Sequence, residues 1–318
     1  YNGNIHINMK KIAFLFPGQG SHSPGMGLDL IQNIPLAQER YHQANDILGW
    51  SVEKLSTSDD ENFSLKQTLY AQPAIYTHSC VVHEILAEAG LFPTFTAGHS
   101  AGEYAALTAA KAWDFATGLR VIAERARFMS QAKHAGSMAA VLGVDAKIIT
   151  EVVSGWTDGI LVVANYNSPK QTVISGDVEA IDQVIPVLKE KKARRVLKLP
   201  VSGAFHSPLM KKAQQAFDAF MQTVEIKSPT ILWGSNNSAL IETDAATIRS
   251  QLVKQFCEPV RWVELMELVS RQCDSCIEVG PGEVLRGLAK ACCEDLECGS
   301  AGSLEGIEKV KENYVISS

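Results

Sequence analysis

The chain has 318 residues, 46% hydrophobic, 20% charged and 7% aromatic. That is enough to bury a core of one large or two modest domains without metals or disulfides. A formal net charge of −6 excludes a nucleic-acid protein that depends on a broad positive field, and no apolar run approaches the roughly 18 residues that cross a bilayer. Seven cysteines, an odd number, accompany an N-terminal stretch Tyr1–Lys11 without the apolar core or cleavage site of a signal peptide. A disulfide framework is therefore not expected, and a cytoplasmic protein of enzyme size is. Met9 is available as a natural start, which would make the first eight residues an extension.

In chain order, Lys11–Phe16 is an apolar strand that runs into Pro17-Gly18-Gln19-Gly20. This loop is not a dinucleotide fingerprint, because Ser23 stands where G-x-G-x-x-G requires glycine. Residues 68–90 carry helical apolar spacing that includes Ile75, Val82 and Ile85. Phe95–Gly98 is β-prone, and the alanine- and leucine-rich stretch from Glu103 favours helix. Ser137–Gly143, Leu161–Asn165, Gln171–Gly176 and Arg194–Val201 read as strands, with helices over Asp145–Trp156 and Val178–Lys191. That β-α-β-β-α-β order predicts a ferredoxin-like unit over residues 137–201, inserted into a larger α/β domain made of residues 9–136 and 202–318, with a cleft between them. Residues 228–234 and 274–280 are further strands, the second closed by Gly280-Pro281-Gly282. Cys273-x-x-Cys276 invites a zinc reading, but Cys292 and Cys293 are adjacent and supply no second C-x-x-C. Packing thiols, and no metal, are expected.

Gly98-His99-Ser100-Ala101-Gly102 fits G-x-S-x-G between a β-prone and a helix-prone run. Small residues let a serine occupy a strained strand-to-helix turn, and the following helix aims its N-terminal amides at charge developing on oxygen. A serine hydroxyl needs a base. His6 lies in the N-terminal stretch, His42, His78 and His83 sit in helical patterns, and His99 belongs to the elbow itself. His206 follows the last strand of the inserted unit in the small-residue loop Val201–Pro208 and is the favoured base. No carboxylate lies in that loop, so a Ser-His dyad oriented by a backbone carbonyl or an amide oxygen is expected. The amides of Ala101 and Gln19 are the expected oxyanion hole.

These pieces, in order, resemble the malonyl-CoA:acyl-carrier-protein transacylases of bacterial type II fatty acid synthesis. The motifs are FPGQGS at 16–21, QPAIY at 72–76, GHSAGEY at 98–104, RARFM at 125–129, NYNSP at 165–169, VSGAFHSPLM at 201–210, EPVRW at 258–262 and EVGPGEVL at 278–285. The resemblance implies an α/β-hydrolase-like domain with an inserted ferredoxin-like one. It further implies Ser100 as the acylated nucleophile, His206 as its base, Gln255 as the residue whose backbone oxygen orients that base, and Gln19 with Ala101 as the oxyanion hole. Arg125 matches the arginine that binds the substrate's free carboxylate. Helical spacing agrees, since Ile122, Arg125, Ala126 and Met129 share one stripe while Arg127 points about 200° away. Ala101 replaces a common leucine, and His22 a common glutamine.

Lys189, Lys191, Lys192, Arg194, Arg195 and Lys198 form a basic cluster on an acidic chain. It reads either as a solvated helix end or as a rim for coenzyme A phosphates and an acidic carrier protein; Arg195 matches a family position near the coenzyme. The expectation is a monomeric acyltransferase that moves malonyl from malonyl-CoA to acyl carrier protein through a malonyl-serine, with no bound cofactor, nucleic acid or membrane. A serine esterase shares the elbow but expects an acidic triad member and gives Arg125 no reason to be buried. A non-catalytic binding module would not need Ser100, His206 and Arg125 together. Acyltransferases of polyketide lines or malonate decarboxylase would use the same residues.

Overall fold

The computed structural model describes residues 10–132, 136–201 and 203–314. His6, Met9, residues 133–135 and Ser202 lie outside the described residues. Nine strands are found among the described residues: β1 (Ile12–Phe16), β2 (Phe95–Gly98), β3 (Gly136–Leu142), β4 (Leu161–Ser168), β5 (Gln171–Asp177), β6 (Arg195–Lys198), β7 (Leu232–Gly234), β8 (Ser275–Glu278) and β9 (Glu297–Ser300). They form two sheets: a five-stranded one ordered β7-β2-β1-β8-β9 and a four-stranded one ordered β4-β5-β3-β6.

The larger sheet is parallel throughout, so helical crossovers cover both of its faces. Alternation along β1 divides the core. Ile12, Phe14 and Phe16 enter one apolar cluster, and Ala13 and Leu15 enter the other. The first cluster is packed by the helices Thr68–Glu88, Glu103–Ala109, Phe115–Ser130 and Lys211–Met221, the second by Trp262–Gln272 and Val284–Cys292. Cys273 and Cys276 are buried in this second layer. No helix among the described residues is long and apolar enough to cross a membrane.

The smaller sheet is antiparallel. On one face Ala139, Val141 and Ile174 pack with Ile149, Ile181 and Leu188 of the helices Ala146–Ser154 and Val178–Glu190. Its other face turns toward the large core, which receives Met138, Ala140 and Val173. The two bodies are also stitched through backbone: Tyr166 N–H donates to the Val260 carbonyl at 2.9 Å, and Val260 N–H donates to the Ala164 carbonyl at 2.8 Å.

Several strands differ from their expected extents, three of them for a local reason. The strand expected over Arg194–Val201 covers only Arg195–Lys198; Pro200 has no N–H to continue the ladder, and Leu199–Val201 turn to wall a cavity. The strand expected to end at Asn165 runs to Ser168 through two register shifts, which re-aim Asn165 and Asn167 into that cavity. Residues 228–231 are not in the sheet, because Lys227 and Thr230 give their N–H groups to the carbonyls of Ala112 and Ala110. The C-terminal strand β9 beside β8 was not among the expected elements.

The elbow sits where β2 meets β1. An added Cβ on Gly102 would lie 2.0 Å from the Phe16 carbonyl oxygen and 2.9 Å from that of Pro17, both backbone atoms that no rotamer change can move. Gly102→Ala is therefore expected to cost about 1–3 kcal/mol of stability, measured by urea denaturation. An unfolding free energy unchanged within about 0.5 kcal/mol would contradict this packing.

Candidate active site

Ser100 stands between β2 and the helix Glu103–Ala109 with φ +51°, a left-handed conformation that a residue with a Cβ rarely adopts. Its peptide neighbours are held from both sides. Ser100 N–H donates to Asn236 Oδ1 at 2.7 Å, and Asn236 Nδ2 donates to the Gly98 carbonyl at 2.6 Å. Gln255 Nε2 donates to the Ser100 carbonyl at 3.0 Å.

The hydroxyl faces His206, whose own φ is +57°, with Ser100 Oγ and His206 Nε2 2.8 Å apart. His206 Nδ1 lies 2.7 Å from the Gln255 backbone oxygen. A carbonyl only accepts, so Nδ1 carries the ring proton and Nε2 presents its lone pair to the serine. Burial, and after it the Arg125 charge, push the imidazole pKa down to about 3. The ring is therefore neutral near pH 7, the form able to take a proton. His99 is turned away, its Nε2 2.8 Å from Asn167 Oδ1 on β4 and its ring edge-on to Trp262.

Arg125 is fully buried on the helix Phe115–Ser130 along with Ile122, Ala126 and Met129, while Arg127 is half-exposed and pairs with Glu124. Arg125 Nη1 donates to Gln72 Oε1 at 2.7 Å; Nη2 donates to Gln255 Oε1 at 2.6 Å and to Ser100 Oγ at 3.2 Å. The Tyr104 and Phe256 rings lie 5.5 and 5.7 Å from the guanidinium carbon. Among the described residues its hydrogen-bond partners are these amides and the hydroxyl, not a carboxylate, and Nε has no partner. A buried cation held by neutral amides, a hydroxyl and ring faces, one of its donors on the Ser100 hydroxyl, is arranged to receive an anion bound beside that hydroxyl.

The site opens into a cavity of about 630 Å³. Gln19, Ala101, Ser100 and His206 line it, with Met138 and Val173 of the smaller sheet opposite. The loop after β1 runs close under the elbow: a Cβ on Gly18 would lie 2.4 Å from the His99 carbonyl oxygen and 3.6 Å from the Ala101 nitrogen. Gln19 and Ala101 are thereby brought to the same end of the cavity.

Of the expected site residues, Ser100, His206, Gln255, Arg125, Gln19 and Ala101 converge here. Arg195 does not; it is exposed on β6, opposite Leu142 in register, and does not line the cavity. The rest of the basic cluster is likewise exposed, and Lys198 pairs with Asp182. Gln72, Glu103, Asn236 and the side chain of Gln255 were missed. Glu103 had a signal, since it is a carboxylate opening the otherwise apolar run Tyr104–Ala110; Asn236, within the polar run Ser235–Ser238, had none.

Residues 13–300 match the acyl transferase domain family. The chain is 39% identical over 305 residues to the malonyl CoA-acyl carrier protein transacylase of Bacillus subtilis (strain 168), covering 94% of this chain and 96% of that one. It is 38% identical over 301 residues to the protein of the same name from Synechocystis sp. (strain ATCC 27184 / PCC 6803 / Kazusa), covering 94% and 100%. Among solved structures, a malonyl-transacylase in complex with its type II PKS acyl-carrier protein superposes with a TM-score of 0.92 at 33% identity, covering 95% of this chain and 99% of that one. The chain belongs to the acyl transferase domain family, within its malonyl CoA-acyl carrier protein transacylases.

Proposed function

We propose that this chain transfers the malonyl group of malonyl-CoA to the phosphopantetheine thiol of an acyl carrier protein, in fatty acid biosynthesis, through a malonyl-serine intermediate. The observation that carries this reading is the meeting of three groups at one oxygen: Ser100 Oγ lies 2.8 Å from His206 Nε2 and 3.2 Å from Arg125 Nη2. Malonyl thioesters place a carboxylate one methylene from the carbonyl under attack, so a cation beside the nucleophile can hold the carboxylate while the carbonyl carbon meets Oγ.

His206 Nε2 takes the proton as Oγ adds to the thioester carbonyl, and the oxyanion is received by the amides of Gln19 and Ala101. Collapse expels the coenzyme A thiolate, which takes the proton from His206, and leaves the malonyl ester on Ser100. The carrier thiol then gives its proton to His206, attacks the ester and departs as the malonyl thioester, returning the proton to Ser100. No cofactor is required by these steps, and every group in them comes from one chain, which suits a monomer. The partner to which His206 Nδ1 donates is a backbone carbonyl, which supports a dyad over the acid-assisted triad of an esterase. In architectural terms we read residues 9–136 and 202–318 as an α/β-hydrolase-like domain and residues 137–201 as a ferredoxin-like one; the order β4-β5-β3-β6 with two helices on one face supports the latter. The exposed basic cluster around Arg195 is read as a rim for coenzyme or carrier, next to the wall Leu199–Val201. A cytoplasmic location goes with this function.

The decisive experiment is intact-protein mass after brief mixing with malonyl-CoA, then with holo carrier protein. An adduct that discharges to the carrier, and is absent in Ser100→Ala, is expected; an adduct lost only to water would indicate a hydrolase. Arg125→Ala is expected to depress malonyl transfer by at least about tenfold more than acetyl transfer, and equal losses would make Arg125 structural. Because burial and Arg125 lower the His206 pKa, the neutral base persists as pH falls. Malonyl-serine formation should therefore stay level from about pH 8 to about pH 5. Arg125→Ala, which removes the neighbouring cation, should move the acid limb upward; a wild-type limb centred on the ordinary 6.5 would refute this environment.

A further inference from the structure

The network behind Ser100 converges on one side chain that neither binds substrate nor moves a proton in the proposed reaction. Glu103, fully buried at the first position of the helix Glu103–Ala109, accepts from two donors, one on each carboxylate oxygen. Asn236 N–H donates to Oε1 at 2.6 Å, and Gln255 Nε2 donates to Oε2. Burial pushes its carboxyl pKa up to about 8, against the two donors and the Arg125 charge, which favour the ionised form; the geometry, with one N–H aimed at each oxygen, is what makes it an acceptor on both.

Each of these two partners in turn grips the elbow. Asn236 spans Gly98 and Ser100, accepting from one peptide and donating to the other. Gln255 donates through Nε2 to the Ser100 carbonyl, accepts from Arg125 at Oε1, and accepts from His206 at its backbone oxygen. The orientation of the Gln255 amide is thus decided by chemistry. A carboxylate can only accept, so the NH2 end must face Glu103, and the oxygen is left for Arg125, which can only donate.

The consequence falls on the oxyanion hole. In a trans peptide the C=O of one residue and the N–H of the next point in opposite directions. Gln255 Nε2 and the backbone N–H of Glu103 both hold the Ser100 carbonyl on the buried side, so the Ala101 N–H is turned the other way, toward the cavity that Ala101 lines.

We infer that Glu103 is a positioning residue for acylation: through Gln255 and Asn236 it fixes the Ser100 peptide so that the Ala101 N–H is aimed at the developing oxyanion. This rests on the malonyl-transfer reading above. A neutral amide at position 103 can both donate and accept, so it no longer holds the Gln255 NH2 end by an acceptor-only group and leaves Arg125 alone to fix that amide. The backbone N–H of Glu103 survives substitution, so a variant reads the share carried by the side chain.

The test uses the full chain and malonyl-CoA labelled with ¹³C at the thioester carbonyl. Glu103→Gln is expected to slow malonyl-serine formation at saturating malonyl-CoA by about 10²-fold, the scale of one lost oxyanion donor. The ester carbonyl band of its acyl-enzyme, read by infrared difference spectroscopy, should move to higher frequency than in the wild type, because a carbonyl that loses a donor stiffens. Glu103→Asp, which keeps an acceptor-only group, should retain the wild-type band even if Glu103→Gln fails to fold. Acylation by Glu103→Gln within about threefold of wild type would overturn the inference. So would slow acylation with an unmoved band, which would mark a generally damaged fold, or a displaced band in Glu103→Asp. A wild-type protein that takes no malonyl would remove the functional reading, and this inference with it; a variant that acylates normally removes the inference alone.

Discussion

A serine held at φ +51° stores roughly 1–3 kcal/mol of backbone strain, so the structure around it has to specify that conformation more than once. It does so from three directions. β1 brings the Phe16 and Pro17 carbonyls against Gly102, where a methyl group would not fit. The loop after β7 contributes Asn236, which binds the peptides on both sides of His99. The chain after the helix Ala245–Lys254 brings in Gln255, which binds the Ser100 carbonyl. A parallel sheet suits this task, because the ends of neighbouring strands β1, β2 and β7 deliver their loops to one place.

Electrostatics follow from the same placement. Arg125 lies in the interior without direct carboxylate contact among the described residues, and burying an uncompensated charge costs several kcal/mol. Three neutral oxygens and two ring faces offset part of that cost, and Glu103 supplies a counter-charge one amide away, across Gln255. With Glu103 at that remove, Arg125 keeps an unpartnered Nε donor, and burial, with the Arg125 charge added to it, keeps His206 neutral. Gln255 is the joint of the arrangement: its backbone oxygen orients the base, while its side chain separates the two charges.

The smaller sheet gives the site its far wall. Only one of its faces is closed by its own helices, and the other presents Met138 and Val173 to the cavity. The register shifts in β4 aim Asn165 and Asn167 into the same space, where Asn167 takes up His99 and keeps that ring from competing for Ser100. The link between Val260 and β4 ties this wall to the segment that carries Gln255.

Much of this was legible in the sequence, because the relevant signals are local. Glycines around Ser100, an apolar run before it and a helix-prone run after it describe an elbow whose constraints act within five residues. Arg125 was singled out by the family resemblance, and the stripe Ile122, Arg125, Ala126 and Met129 agreed that it is buried; the β-α-β-β-α-β rhythm between residues 137 and 201 announced the second sheet. Strand ends were less legible. At Thr230 the end is set by which carbonyl a given N–H finds, and that carbonyl belongs to Ala110. Arg195 carried a charge pattern that does not say which way an edge strand faces, and it is not among the residues that line the cavity. Glu103, Asn236 and the amide of Gln255 are 133 and 152 residues apart in their contacts, so no window of sequence contains their relationship. Near neighbours along the chain were enough to specify the serine elbow, the stripe that buries Arg125 and the two-sheet plan. The contacts that hold His206, Arg125 and the Ser100 carbonyl in place formed only when distant segments packed, because a hydrogen bond's direction depends on the partner that folding brings to it.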